Sequence, residues 1–223
     1  MILKRFNNKP DLEKDLVSRI QLILKSAILK YGDARILLSG GSTPEFIYEA
    51  LSQLPIDWSK VIVGLVDERF VHQESEFSNA RMIANCFENA SGFALIPMVT
   101  RLNDGIENLK EVNNTYKIFQ ERIDYCLLGM GEDGHTASLF PGDEASEKSL
   151  CGNEIDIIQT MAPMAPEERI SCSKEMLTRA QFVDLLILGE KKLKIFQNAK
   201  DNHLPIATIM NQTTNGVTYF SEN

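Results

Sequence analysis

Apolar residues recur along this chain in two spacings, and each spacing predicts a different element. Between Asp11 and Lys30 they return every three or four positions, as in an amphipathic helix that Gly32 would end. Short continuous apolar runs predict buried strands instead. The clearest of these runs are 34–38, 61–66, 125–128 and 183–188. Because helical spacing separates most of them, we expect an α/β fold with a mostly parallel sheet flanked by helices.

The remaining elements are less strongly patterned. Pro44 fits the first position of a helix, and further helices are expected over 79–87, 107–122, 174–180 and 189–199. Weaker apolar runs predict strands at 155–158, 169–172, 206–210 and 217–220. The polar stretch 143–153 predicts a loop. No internal repeat or linker divides the pattern, so we expect a single domain over residues 1–223.

The charge balance narrows the classes of function. Lys and Arg number 23 against 31 Asp and Glu, which gives a net charge of −8 and argues against a nucleic-acid partner. We expect no membrane partner and no signal peptide, because no apolar run approaches the roughly 20 residues that span a bilayer. The 4 cysteines form no CxxC pair, which suits reduced thiols in the cytoplasm.

Polar motifs follow three of the predicted strands. They are the stretches 39–44, 67–69 and 131–142. In an open parallel sheet, ligands bind at the carboxyl ends of the strands. The three motifs therefore predict a site at one edge of the sheet.

The first motif joins a strand to a helix through Gly40, Gly41, Ser42 and Thr43. Such a turn can offer free backbone N–H groups and two hydroxyls to an anion such as phosphate. The alternative is a plain helix cap, in which Ser42 or Thr43 satisfies only the first turn. The spacing matches neither the Walker loop nor the dinucleotide-binding loop.

The second motif ends an apolar strand with Asp67, Glu68 and Arg69. Alternation along a strand puts Asp67 and Arg69 on one side and Glu68 on the other. Arg69 can form paired hydrogen bonds with a phosphate, while Asp67 accepts from substrate hydroxyls or orients the arginine. A surface ion pair is the alternative interpretation.

His135 in the third motif is the predicted general base. Its imidazole can take a proton from water near neutral pH, and Asp133 or Glu132 is close enough in sequence to orient it. A solvated side chain is the alternative. His72 and His203 are interpreted as surface residues, and the three histidines share no metal-ligand spacing. We therefore expect neither a metal site nor a cofactor.

Together these motifs resemble the 6-phosphogluconolactonase family. The resemblance rests on the stretch 38–44, on 67–69 with Ser78 and Asn79 after it, and on 129–142, and Arg169 and Lys192 follow in the family's order. The run His-Thr-Ala-Ser-Leu-Phe-Pro-Gly is its most specific part. The resemblance implies a Rossmann-like fold of the sugar-phosphate isomerase and deaminase type. It also implies hydrolysis of 6-phospho-D-glucono-1,5-lactone in the oxidative pentose phosphate pathway, without metal or cofactor.

The resemblance also implies roles for individual residues. The family's catalytic histidine corresponds to His135, and its substrate-binding aspartate and arginine correspond to Asp67 and Arg69. Its phosphate loop corresponds to residues 40–43, and Arg169 and Lys192 would be cations near the phosphate. We expect the Gly131–Gly134 amides to hold the oxyanion. Two alternatives stay open, namely an amino-sugar-phosphate isomerase or deaminase and a non-catalytic sugar-phosphate sensor.

Overall fold

A computed structural model describes residues 2–222 of the chain. The strands are β1 (Ile2–Phe6), β2 (Ala34–Leu38), β3 (Val61–Leu65), β4 (Asp67–Arg69), β5 (Ala94–Leu95), β6 (Tyr125–Leu128), β7 (Ile157–Met161), β8 (Glu168–Cys172), β9 (Phe182–Leu188) and β10 (Gly216–Ser221). The helices are α1 (Lys9–Tyr31), α2 (Glu45–Ser52), α3 (Asn79–Cys86), α4 (Gly105–Thr115), α5 (Lys117–Glu121), α6 (Glu144–Cys151), α7 (Lys174–Thr178), α8 (Glu190–Asn198) and α9 (Pro205–Gln212), with a 3₁₀ turn at Trp58–Lys60.

A seven-stranded sheet forms the centre of the molecule, in the order β1-β10-β9-β6-β2-β3-β5. Every neighbouring pair in it is parallel. The central strands are buried almost throughout, because helices cover both faces of the sheet. The expected α/β architecture with a mostly parallel sheet is therefore confirmed.

A second, antiparallel sheet of three strands, β4-β8-β7, lies beside the first. The sequence pattern treated Asp67–Arg69 as the end of the preceding strand, which is wrong. The main-sheet strand stops at Leu65, and the chain then enters the small sheet. In that sheet, Arg69 lies opposite Arg169.

Other predictions from the pattern need correction. The apolar run 206–210 belongs to α9, whose residues Pro205, Ile206, Ala207, Ile209 and Met210 are buried. A run that is apolar on every side looks the same in a buried helix and a buried strand, so periodicity could not separate them.

The loop expected at 143–153 contains α6, where the side chain of Asp143 accepts from the backbone N–H of Ser146 and caps the helix. The edge strand β1 was not predicted, because its five residues include the charged Lys4 and Arg5. Pro44 precedes α2 as its cap rather than starting the helix. Between residues 2 and 222 no helix is long and apolar enough to cross a membrane.

Candidate active site

The three polar motifs meet at the carboxyl end of the central strands. β2 pairs with both β3 and β6, so the loops that follow these strands are neighbours. We call residues 39–44 after β2 the glycine loop, and residues 129–142 after β6 the histidine loop. This is the edge at which open parallel sheets bind ligands.

Two adjoining cavities occupy this edge. The glycine-loop cavity has a volume of about 260 Å³ and is lined by the glycine loop, Asp67, Arg69, His135 and Lys192. The arginine cavity, of about 460 Å³, is lined by Asp133, Arg169 and the 162–165 turn, and it shares Asp67, Arg69 and His135 with the first. Every site residue predicted from the sequence therefore lines at least one of the two cavities.

His135 is held by a carboxylate on one ring nitrogen. Its Nδ1 lies 2.5 Å from Oδ1 of Asp133, and its ring packs against Phe140 with centroids 4.6 Å apart. A carboxylate at Nδ1 stabilises the tautomer that carries its proton there, which leaves Nε2 free to accept a proton. The sequence left Glu132 and Asp133 as alternatives, and the structure selects Asp133, since Glu132 pairs with Lys191 at 2.6 Å.

Asp133 remains ionised in this pair. Burial alone would raise the pKa of Asp133, but the hydrogen bond from His135 and its nearby charge outweigh burial, so the pKa is lowered. The His135 side chain is 32% exposed and faces the shared part of the two cavities. The pair therefore combines an oriented imidazole with access for water and a small ligand.

The histidine loop uses its own backbone donors. Gly131 N–H donates to the carbonyl of His135 at 3.0 Å, and Gly134 N–H donates to the carbonyl of Gly131 at 3.1 Å. These two amides are therefore occupied, and the prediction that they hold an oxyanion is not supported for them. Gly131 also lies against the imidazole, because a Cβ on it would be 2.2 Å from Cε1 of His135.

The glycine loop has the opposite character. Within residues 2–222, the backbone N–H groups of 40–43 donate to no protein acceptor. The start of the loop is fixed by the buried hydroxyl of Tyr48, which donates to the carbonyl of Ser39 at 2.7 Å. Free amides before a helix attract an anion, so this loop supports the anion-binding interpretation over a plain cap.

Asp67 and Arg69 face the cavities because Glu68 points away and is buried. The Glu68 carboxylate accepts the backbone N–H groups of Arg69, Asn79 and Ala80, each at 2.8 Å, and the hydroxyl of Ser78 at 3.0 Å. Burial raises the pKa of Glu68, and these amide hydrogen bonds oppose the shift. Glu68 thereby ties β4 to the start of α3.

Asp67 and Arg69 are each held by a hydrogen bond that leaves part of the group open to the cavities. Asp67 Oδ2 accepts from the buried hydroxyl of Ser138 at 2.5 Å. Arg69 Nη1 donates to the carbonyl of Phe77 at 2.6 Å. Neither residue forms an ion pair in the described part of the chain, so the surface ion-pair interpretation is not supported.

Three residues at the site were not assigned a role by sequence reasoning. Ser138 holds Asp67, and Asn79 donates to the Asp67 carbonyl at 2.9 Å while filling the space above Gly40. Ser39 lines the glycine-loop cavity with a buried hydroxyl that has no partner among the described residues. All three lie inside the motifs that carry the family resemblance, but a motif does not tell which side chain supports which partner.

The two other histidines and Cys126 lie where the sequence predicted them. His72 and His203 are exposed, and Cys126 is fully buried. Burial raises the pKa of the Cys126 thiol, as expected for an inert core cysteine. No group of three or more His, Cys, Asp or Glu side chains between residues 2 and 222 is arranged to hold a metal ion.

The chain is similar to known proteins in both sequence and structure. The family model described as glucosamine-6-phosphate isomerases/6-phosphogluconolactonase matches residues 7–219. A 6-phosphogluconolactonase of Mesorhizobium japonicum is 37% identical over 197 residues, which are 87% of this chain and 83% of the relative. The Helicobacter pylori 6-phosphogluconolactonase is 33% identical over 216 residues, 93% of this chain and 92% of the relative.

The fold agrees with the same group of proteins. The crystal structure of a 6-phosphogluconolactonase from Shewanella baltica superposes with a TM-score of 0.92 at 30% identity, covering 99% of this chain and 97% of the other. A putative 6-phosphogluconolactonase from Neisseria gonorrhoeae gives 0.89 at 28% identity, covering both chains completely. The chain belongs to the family of glucosamine-6-phosphate isomerases and 6-phosphogluconolactonases.

Proposed function

We propose that this protein hydrolyses 6-phospho-D-glucono-1,5-lactone to 6-phospho-D-gluconate, with His135 as the general base. The observation that carries the proposal is His135, held by Asp133, in a cavity that is also lined by the glycine loop, whose amides have no acceptor among residues 2–222. The names of the similar proteins, which are 6-phosphogluconolactonases, support the choice of substrate.

The reaction needs a base but no covalent intermediate. Nε2 of His135 takes a proton from a water molecule, whose oxygen forms a bond to the C1 carbonyl carbon. The carbonyl oxygen then carries the negative charge of the tetrahedral intermediate. As that intermediate collapses, the bond between C1 and the ring oxygen breaks, and His135 returns the proton to the ring oxygen.

Phosphate binding would fall to the glycine loop and Lys192. The free N–H groups of 40–43 precede α2, and Ser42 and Thr43 add hydroxyl donors. Lys192 lines the same cavity and supplies a positive charge. Asp67 and Arg69, which line both cavities, would contact the substrate between its phosphate and its carbonyl.

The direct experiment generates the lactone in place and follows 6-phosphogluconate formation above the spontaneous rate, with a chelator present. We expect the wild-type chain to accelerate hydrolysis despite the chelator. His135→Ala should lower kcat by about 10²–10⁴-fold with little change in KM, because only the general base is removed. The matched control is His72→Ala, which removes an exposed histidine that lines neither cavity.

Two outcomes would contradict the proposal. Undiminished turnover in His135→Ala would remove the histidine from the mechanism while leaving the substrate in place. No acceleration by the wild-type chain would reject the lactone as substrate. Glucosamine 6-phosphate would then be tested, because the matched family includes isomerases of that sugar phosphate.

A further inference from the structure

Two arginines lie side by side in the arginine cavity, and neither is within ion-pair distance of a carboxylate in residues 2–222. Arg69 on β4 is directly opposite Arg169 on β8, in the register of an antiparallel pair. Like charges placed directly opposite each other destabilise a sheet unless something lies between them to compensate. Neither guanidinium forms an ion pair with a described residue, and both line the arginine cavity.

Arg169 has more unused binding capacity than its neighbour. The residue is only 9% exposed, and its buried Nη1 has no hydrogen-bond partner among the described residues. Burial and the adjacent charge of Arg69 lower the pKa of Arg169. A buried donor without an acceptor costs free energy, so this geometry is suited to an anion that enters the cavity.

The nearby carboxylates do not fill this role. Glu68 accepts four hydrogen bonds from the chain around it, and Asp67 accepts from Ser138. Asp133 is engaged by His135, and Glu132 by Lys191. Each acidic group around the arginine pair therefore already has a partner of its own.

The proposed reaction creates negative charge at two separate places on one ligand. The substrate carries phosphate on C6 throughout, while C1 becomes first an oxyanion and then a carboxylate. The glycine-loop cavity, with its free amides and Lys192, does not include Arg169. The arginine cavity includes neither the glycine loop nor Lys192, and His135 lines both. The reacting carbon would therefore lie between two separate sets of donors.

Two amides of the histidine loop are not available to the C1 end of the ligand. The amides of Gly131 and Gly134 already donate within the loop. An arginine fork, by contrast, matches the two oxygens of a carboxylate and stabilises developing charge on them.

We infer that Arg69 and Arg169 form a second anion subsite, which binds the C1 end of the ligand as oxyanion and then as product carboxylate. The inference rests on the proposed function and deepens it. It assigns both arginines to the carboxyl end, whereas the family resemblance would make Arg69 a substrate-binding residue and put Arg169 near the phosphate. The product, which is anionic at both ends, would then bind across both cavities.

Equilibrium binding measured by calorimetry tests this assignment without turnover. The two probes are 6-phosphogluconate and D-glucitol 6-phosphate, which share the phosphate but differ in the carboxylate. Wild type should bind 6-phosphogluconate more tightly. Arg169→Gln should weaken 6-phosphogluconate binding by about 10-fold or more, because a charged hydrogen bond is lost, and should change glucitol 6-phosphate binding by less than about 3-fold. Lys192→Gln should weaken both ligands equally.

A second pair of variants tests the subsite in case Arg169→Gln does not fold. Arg169→Lys keeps the charge but removes the fork, and Arg69→Gln changes the less buried arginine, so either decides the question if Arg169→Gln does not fold. Each should reproduce the selective loss for the carboxylate ligand.

Three results would overturn the subsite. They are an equal loss for both ligands, no loss for either, or a wild type that does not prefer 6-phosphogluconate. A wild type that shows the selective pattern but does not hydrolyse the lactone would reject the proposed function and leave the subsite intact.

Discussion

The glycine loop and the histidine loop leave neighbouring parallel strands at the same edge of the sheet, yet they use their backbones in opposite ways. The amides of 40–43 have no acceptor within the described part of the chain. In the histidine loop, the amides of Gly131 and Gly134 are consumed by hydrogen bonds inside the loop. The first loop leaves its backbone amides available for a ligand, whereas the second uses two of its amides to fix the loop conformation around His135.

The two loops nevertheless share one feature. In each, a glycine allows a side chain from elsewhere in the site to pack directly against the backbone. Gly131 lies under the imidazole of His135, and Gly40 lies under the amide of Asn79. A methyl group at either position would occupy space that the neighbouring side chain fills. The two substitutions should therefore have different consequences, since one neighbour is the proposed base and the other is a structural support.

The largest effect is expected from Gly131→Ala. The new Cβ would lie 2.2 Å from Cε1 and 2.3 Å from Nδ1 of His135, so the ring has to leave its place beside Asp133. The imidazole is partly exposed and can swing outward, which would leave the protein folded but without an oriented base. We expect kcat to fall by about 10²–10⁴-fold, the range for loss of a general base. Steady-state kinetics of the lactonase reaction measure it.

Gly129→Ala is the matched control in the same loop. A Cβ on Gly129 would meet only the Ser39 hydroxyl, at an ordinary distance of 3.9 Å. Because Gly129 lines the glycine-loop cavity, its methyl group is expected to act on KM, while the imidazole stays in place and most of the wild-type kcat is kept. If Gly131→Ala were as active as this control, close packing under the imidazole would not be what positions His135.

Gly40→Ala should act mainly on stability and substrate affinity. Its Cβ would lie 1.8 Å from Oδ1 of Asn79, which is buried and donates to the carbonyl of Asp67. Overpacking of this kind costs about 1–3 kcal/mol of unfolding free energy. Because the displaced residue supports the glycine loop and Asp67, KM should rise while kcat changes less than in Gly131→Ala. Denaturant unfolding and kinetics measure the two effects.

A double variant tests whether the clash is the cause. Asn79→Ala removes the atoms that the new methyl group would overlap, so Gly40→Ala should cost less in that background than in wild type. Strictly additive free energies would show that the two residues do not interact. Gly105→Ala, whose Cβ would meet only Phe70 at 3.8 Å, controls for the loss of a glycine elsewhere.

The two loops also show which features of the site can be predicted from a single sequence and which cannot. Both loops were predicted at the correct strand ends, because apolar runs mark β2 and β6 and the chemistry follows each run directly along the chain. The proposed general base and the proposed anion-binding loop could therefore be identified from the local pattern. The choice of Asp133 over Glu132 was not, since it depends on which side chain the loop turns toward His135.

Contacts between distant segments account for the other omissions. Arg69 and Arg169 meet only because β4 pairs with β8 in a small sheet, and the pattern gave no sign that the chain leaves the main sheet after Leu65. Ser138 hydrogen-bonds to Asp67 although 71 positions separate them in the sequence. A buried, mostly apolar segment has no polar face whose spacing would distinguish a helix from a strand. For this reason 206–210 was expected as a strand, although it lies in α9.

The smallest effect concerns the charge on Asp133. Asn at this position can still accept from Nδ1–H of His135 but carries no charge, so Asp133→Asn isolates the ionic part of the pair. Burial acts to raise the folded-state pKa of Asp133, but the hydrogen bond and the charge of His135 outweigh it. The pKa is therefore lowered from its ordinary value of 3.8. The carboxylate therefore contributes stability above pH 3.8, and this contribution is lost as the pH falls through the lower folded value.

Because the pKa of Asp133 is lowered, the experiment compares stability above and below its ordinary value. Thermal unfolding of wild type and Asp133→Asn should differ by a small amount at about pH 5, and the difference should shrink near pH 3 and below. Glu132→Gln is the control on the same loop. Its pKa is also lowered, by the hydrogen bond from Lys191, but that pair is fully exposed and should contribute less. A difference for Asp133→Asn that persists unchanged into strong acid would mean that shape, not charge, links this residue to His135.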